Sequence, residues 1–215
     1  TCNACHSGTA TDNSTINANL VNQGLLVFRG SGNNLGGSFE NRAGATVRVL
    51  ADATLDNAIV NVALGFTNLG VIELTSVAGA LSATLNVSGG SLVNAVGGQI
   101  NVLAGTGGGR TLGVQLDNRG TVTINQALTL NGSSAHHVNS GTITLSGGDF
   151  TVSEGGTTPS FTTTGTMDIG SGRTFTVSGG TFQIDLPGVL QGDGTLNVAN
   201  TLFTNAGNIN PGSPA

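Results

Sequence analysis

Lysine, tryptophan and tyrosine are missing from this 215-residue sequence, and charged residues of all kinds make up only 8%. A globular chain ordinarily carries about a quarter. The six cations are all arginines, spread from Arg29 to Arg173, and the formal net charge is −5. Without a cluster of cations there is nothing to neutralise a run of phosphates, which argues against nucleic acid as a partner. No window approaches 18 uncharged apolar residues, so no membrane-spanning helix is expected. The lack of Trp and Tyr removes the usual platforms for stacking sugars, and the lack of Lys removes one common base of polysaccharide lyases. No signal peptide stands at Thr1, as in a mature exported chain after cleavage.

Glycine is abundant instead, at 36 residues, with Ser, Thr and Asn filling much of the remainder. Low charge with much Gly and Ser is a mark of disorder. The 37% hydrophobic share contradicts it, because Val, Leu and Ile recur periodically. One pattern repeats: a large apolar residue, any residue, Asn, a short gap, Gly, then alternating apolar residues. It reads Leu20-Val21-Asn22-Gln23-Gly24, Phe66-Thr67-Asn68-Leu69-Gly70, Leu116-Asp117-Asn118-Arg119-Gly120, His137-Val138-Asn139-Ser140-Gly141 and Phe203-Thr204-Asn205-Ala206-Gly207. Looser copies start at Phe39, with Asn41 and Gly44, and at Leu92, with Asn94 and Gly98. At Phe161 and Leu190, Thr163 and Gly192 stand where Asn is expected.

After each Gly the apolar residues alternate with Thr, Asp, Glu or Asn, which is strand periodicity. Ile72 and Leu74 follow Gly70, Val122 and Ile124 follow Gly120, and Leu196 and Val198 follow Gly194. A second strand signal lies between copies, at 84–90, 127–132 and 174–180. Each unit thus holds two or three short strands, too few to bury its own apolar face. Stacked in parallel, each unit covers the next. The expected fold is an all-β, right-handed parallel β-helix (a β-solenoid) of roughly nine coils over residues 20–215. Residues 1–19 are expected as an N-terminal tail. The repeated asparagines should form a ladder at a corner, where left-handed backbone suits Asn and Gly. A sandwich or barrel would favour Asn-Gly and Asp-Gly hairpins, and only Asn131-Gly132 and Asp193-Gly194 are placed for one.

From about Leu20 onward the units resemble the β-helical passenger domains of bacterial autotransporters and filamentous-haemagglutinin-like adhesins. Asn-Ser-Gly-Thr-Ile-Thr-Leu at 139–145 and Phe-Thr-Asn-Ala-Gly-Asn-Ile-Asn-Pro-Gly at 203–212 carry that resemblance. It implies export to the cell surface or the extracellular space, and an adhesive or structural role toward a host or surface receptor. The chain is shorter than such passengers, and no anchoring barrel follows Ala215.

The sharpest chemical motif is Cys2-Asn3-Ala4-Cys5-His6, which holds both cysteines of the chain. Cys-x-x-Cys-His resembles the attachment site of c-type cytochromes, in which two thioethers hold haem c and the imidazole ligates the iron. That resemblance implies cofactor-binding roles for Cys2, Cys5 and His6. The other reading is a Cys2–Cys5 disulfide or free thiols; a zinc site lacks a second ligand pair. A second axial ligand could come from His136 or His137, with His6 and His136 as metal-binding candidates. His137 falls in the apolar column of Phe39, Phe66, Leu116 and Phe161, where an imidazole needs a partner. If the gap at 131–135 shifts the register, His137 is a loop residue facing water.

No catalytic constellation stands out, and the chain is expected not to be an enzyme. Its aspartates are dispersed, and the closest pair, Asp52 and Asp56, reads as a solvated turn. No Gly-x-Ser-x-Gly elbow occurs. Glycine runs such as 107–109 lack the Lys and the helix of a phosphate loop. The expected function is a secreted structural solenoid, a filament subunit associating end to end or a surface adhesin. The alternatives are an electron-transfer cytochrome on a solenoid scaffold and a glycan-binding β-helix.

Overall fold

The computed structural model describes residues 2–153 and 155–212, with side chains described from Gly8 onward. Among these residues there is no helix, and the named strands pair in parallel with strands one turn away in sequence. The chain is a parallel β-solenoid of about nine turns. A representative turn runs Phe39–Asn41 on a first face, Thr46–Ala51 on a second and Ala58–Val62 on a third. It returns to the first at Phe66–Asn68.

Register is kept from turn to turn. Asn41 pairs with Asn68, Val47 with Ile72, and Val60 with Leu85. The alternation read from the sequence is the cause, because a slip by one residue would turn every apolar side chain to solvent. On the second face, Val47, Ile72, Ile100, Val122, Ile143, Met167 and Leu190 form one column. All are buried. Each such burial contributes about 1.5–3 kcal/mol before conformational entropy is counted. The thin interior gains cohesion by being continuous along the axis.

Of the aligned glycines, Gly44 has the left-handed backbone expected, and most of the others answer a different need. Gly70, Gly98, Gly120, Gly141 and Gly165 do not have left-handed backbone. A Cβ on any of them would run into the backbone carbonyl oxygen of the turn below. They permit close stacking at the corner between the first and second faces. The ladder asparagines likewise are not left-handed; Asn13 and Asn200, outside the ladder, are.

Two boundaries differ from expectation. The segment ahead of Leu20 carries strands: Cys2–Thr11 pairs with Leu20–Arg29, and Thr15–Ile16 with Asn33–Leu35. Leu190 belongs to the second face, opposite Met167 and Ile209, and Leu196 to the third, opposite Phe175. The first-face strand of that turn is Thr181–Ile184, so Ile184 rather than Gly192 takes the asparagine position. A glycine-led alternating segment occurs on more than one face, so the local pattern alone misassigned it.

Candidate functional site

The most ordered polar feature lies inside the rod. Asn22, Asn41, Asn68, Asn94, Asn118 and Asn139 are fully buried and stacked. Each Nδ2 donates to the Oδ1 of the next asparagine, at 2.8, 2.6, 2.8, 2.7 and 2.7 Å in chain order. Each also donates to a carbonyl beside the next turn's corner, as Asn22 does to Thr46 at 3.0 Å and Asn41 to Val71 at 3.0 Å. Asn139 donates to Thr163 Oγ1 at 3.0 Å, where the column passes to Thr163 and then Ile184. Both amide hydrogens are therefore used in a dry interior, the condition under which buried polar groups are tolerated.

Cys5 pairs with Asn22, and Cys2 with Leu20, with register irregularities on both sides of Cys5. The side chains of Cys2, Cys5 and His6 lie outside the described residues. The backbone puts the motif in the first turn, whereas His136–Asn139 pairs six rungs further along. At the usual strand spacing that is about 29 Å, so one chain does not bring His6 to His136 or His137.

His137 is only 1% exposed and stands in the first-face column opposite Phe161, so the water-facing loop reading does not hold. Its Nδ1 accepts the Leu116 N–H at 3.2 Å, which leaves the proton on Nε2. That Nε2 is buried without a partner. Burial, with His136 adding to it, lowers the pKa of His137 to about 4. An Nε2 that carries the proton has no lone pair for iron. His136 points outward and meets Ser160 Oγ at 2.9 Å.

Sequence reading missed Arg110. It occupies the inward column between Ala83 and Leu128 and is 1% exposed. No carboxylate among the described residues pairs with it. Oxygens of the corner loop surround it instead. Nη1 faces the carbonyls of Gly107 (2.9 Å), Gly108 (3.1 Å), Gly109 and Leu81, and Nη2 those of Ala104 (3.1 Å) and Leu103, with Ser76 Oγ at 3.2 Å. The guanidinium fastens the glycine-rich loop 103–109 to the core. Aligning Arg110-Thr-Leu-Gly-Val with Ala83-Thr-Leu-Asn-Val would have placed it inside.

Asp52 and Asp56 are not a solvated pair. Asp52 is 5% exposed, accepts from Arg29 Nε at 2.6 Å and from the N–H groups of Thr54 and Leu55. The Arg29 hydrogen bond, foremost, holds its carboxyl below the ordinary range. It braces the turn and is committed there. Among the described residues, no group of three or more His, Cys, Asp or Glu is placed to hold a metal ion.

On the outside, a groove of about 760 Å³ opens where the third face meets the first. Polar residues such as Asn86, Asn131, Ser88 and Ser133 line it together with the apolar Val87, Val114 and Ala135. No protein family, curated protein or solved structure matches the chain.

Proposed function

We propose that this chain is an exported structural element, a rod that stacks on further copies of itself end to end to form a filament or an adhesive surface fibre. One observation carries the reading: the named strands on all three faces pair in parallel, so the two edges of the stack are unlike. One end of such a stack presents the edge that the other end receives. A head-to-tail contact of that kind does not close on itself and builds fibres.

Negative-stain electron microscopy of the full chain across a concentration series tests this. Fibres one solenoid wide, with an axial repeat equal to the rod length, are expected. Dispersed single rods at the highest concentration would refute it.

The second reading rests on Cys2-Asn3-Ala4-Cys5-His6: a covalently bound haem c in the first turn, giving an electron-transfer rod. Native material should then show a Soret band that survives acid-acetone extraction. A spectrum without that band removes the cofactor and leaves the filament reading intact.

A further inference from the structure

On the first face, one pair of turns is joined partly by side chains where its neighbours are joined by backbone. Ser91 and Leu92 pair with Gln115 and Leu116, and His136 and His137 pair with Ser160 and Phe161. Between them, the strands Arg110–Asn118 and His136–Asn139 pair only at Asp117 with Val138 and Asn118 with Asn139. The cause is a difference in length. Leu112 pairs with Leu130 and Asp117 with Val138, so the later turn takes eight residues round a corner that the earlier one takes in five. Two contacts bridge the seam that results. The Leu116 N–H donates to His137 Nδ1 at 3.2 Å, and the His136 N–H donates to Gln115 Oε1 at 3.1 Å. The groove lined by Gln115, Gly132, Ser133 and Ala135 opens beside it.

The first of these contacts cannot survive a proton. Nε2 already carries one, so a second must go to Nδ1, where it meets the Leu116 N–H, donor against donor. Nor does a carboxylate face the ring from the strands packed on it. Asp117 faces outward and is paired with Arg119. Arg110 faces inward and is itself a cation, held by the loop carbonyls. His136 faces outward onto Ser160. The strands Leu128–Leu130, Thr142–Leu145, Phe150–Ser153 and Ser160–Thr163 carry no titratable side chain. Among the described residues, neither histidine belongs to a group placed to hold a metal.

We propose that the rod carries an acid-opened seam: when His137 takes up a proton, the first face parts between Leu116 and His137 while the other two faces stay closed. Leu116 and Phe161 are then laid open to the groove. The second face joins the same two turns through four residue pairs, from Thr121 with Thr142 to Ile124 with Leu145. The third joins them through three, from Arg110 with Leu128 to Leu112 with Leu130. Asn118 Nδ2, bonded to Asn139 Oδ1 at 2.7 Å, stops the parting at the corner. The closed seam favours the neutral ring, whose folded pKa of about 4 lies below the ordinary 6.5. The seam is therefore held fully above pH 6.5 and is released as pH falls toward 4. This inference does not depend on the filament reading.

Amide hydrogen exchange of the full chain, corrected for the intrinsic rate at each pH, tests it. Between pH 7 and pH 5, protection at Leu116 and at 136–138 should fall by about tenfold or more, with 122–124 and 143–145 unchanged. His137→Phe should remove that pH dependence. NMR titration of the His137 ring in the parent chain needs no variant, and the ring and the seam amides should change over the same pH range. Equal loss of protection on all three faces, a seam that stays protected while His137 titrates, or the same pH dependence in His137→Phe would overturn the proposal.

Discussion

The two halves of the rod hold their turns together by different means. From Asn22 to Asn139, the first-face corner is a column of buried amides, each bonded to the next. Beyond Thr163 that column gives way to Ile184, and aromatic contact takes over. Phe150 stacks on Phe175 at 5.2 Å, and Phe161 lies 5.8 Å from both Phe175 and Phe182. Five of the eight phenylalanines fall after residue 149. Amides fix register through directional bonds and carry a penalty wherever one is left unpaired. Rings fill volume and tolerate small adjustments. The same backbone geometry accepts either, which shows that stacking in register is set by the faces as a whole and reinforced by whichever column is present.

The largest break should come from Phe161→Ala. Phe161 touches Phe150, Phe175, Phe182 and His137, so truncation should cost about 4 kcal/mol in chemical denaturation, concentrated in hydrogen exchange of the C-terminal half. Asn94→Ala should cost about 3 kcal/mol, because it leaves Asn118 Oδ1 and the Thr121 carbonyl without their donor and removes the acceptor of Asn68. Its exchange signature should centre on residues 68–121.

His137 sits at the junction of the two regimes, and acid should probe it. Its folded pKa of about 4 lies below the unfolded value of 6.5. The fold therefore favours the neutral ring, and the associated stability is fully present above pH 6.5 and is lost as pH falls toward 4. The loss should reach about 2–3 kcal/mol. His137→Phe, matching its neighbours in the column, should flatten this dependence in denaturation curves taken from pH 7 to pH 4. At neutral pH it should cost about 1 kcal/mol, since the Leu116 N–H loses its acceptor. The smallest effect should be that of Thr163→Asn with Ile184→Asn together, which joins the amide column to Asn205. That pair should melt within about 1 kcal/mol of the parent. A larger loss would mean that the C-terminal half depends on its apolar corner.

The fold was legible because the solenoid writes its geometry into periodicity. The Asn column from 22 to 139, its passage to Thr163, and the strands at 84–90, 127–132 and 174–180 all follow from spacing alone. The reasons for the residues were harder to read. Left-handed corners and close stacking both select glycine, and only the carbonyl oxygen beneath Gly120 or Gly141 distinguishes them. Arg110 hid because an isolated arginine beside three glycines reads as a loop, and its partners are backbone oxygens that carry no sequence signature. The strand that Cys2–His6 occupies was not legible, since 1–19 lacks the repeat.

The inner amide column has a sense of direction. Every Nδ2 hands its hydrogen to the turn that follows, and every Oδ1 but the first receives one from the turn before. Reversing a single amide would set hydrogen against hydrogen on one side and oxygen against oxygen on the other. The six must therefore point one way or be turned over as a group, and the second hydrogen of each, held by a main-chain oxygen, forbids the reversal. On the third face an outer row runs in the opposite sense, Asn86 Nδ2 donating to Asn61 Oδ1 at 2.9 Å and Asn61 Nδ2 to Asn34 Oδ1 at 3.2 Å. The wall of the rod thus carries two rows of dipoles aimed against each other, one shut away from water and one open to it.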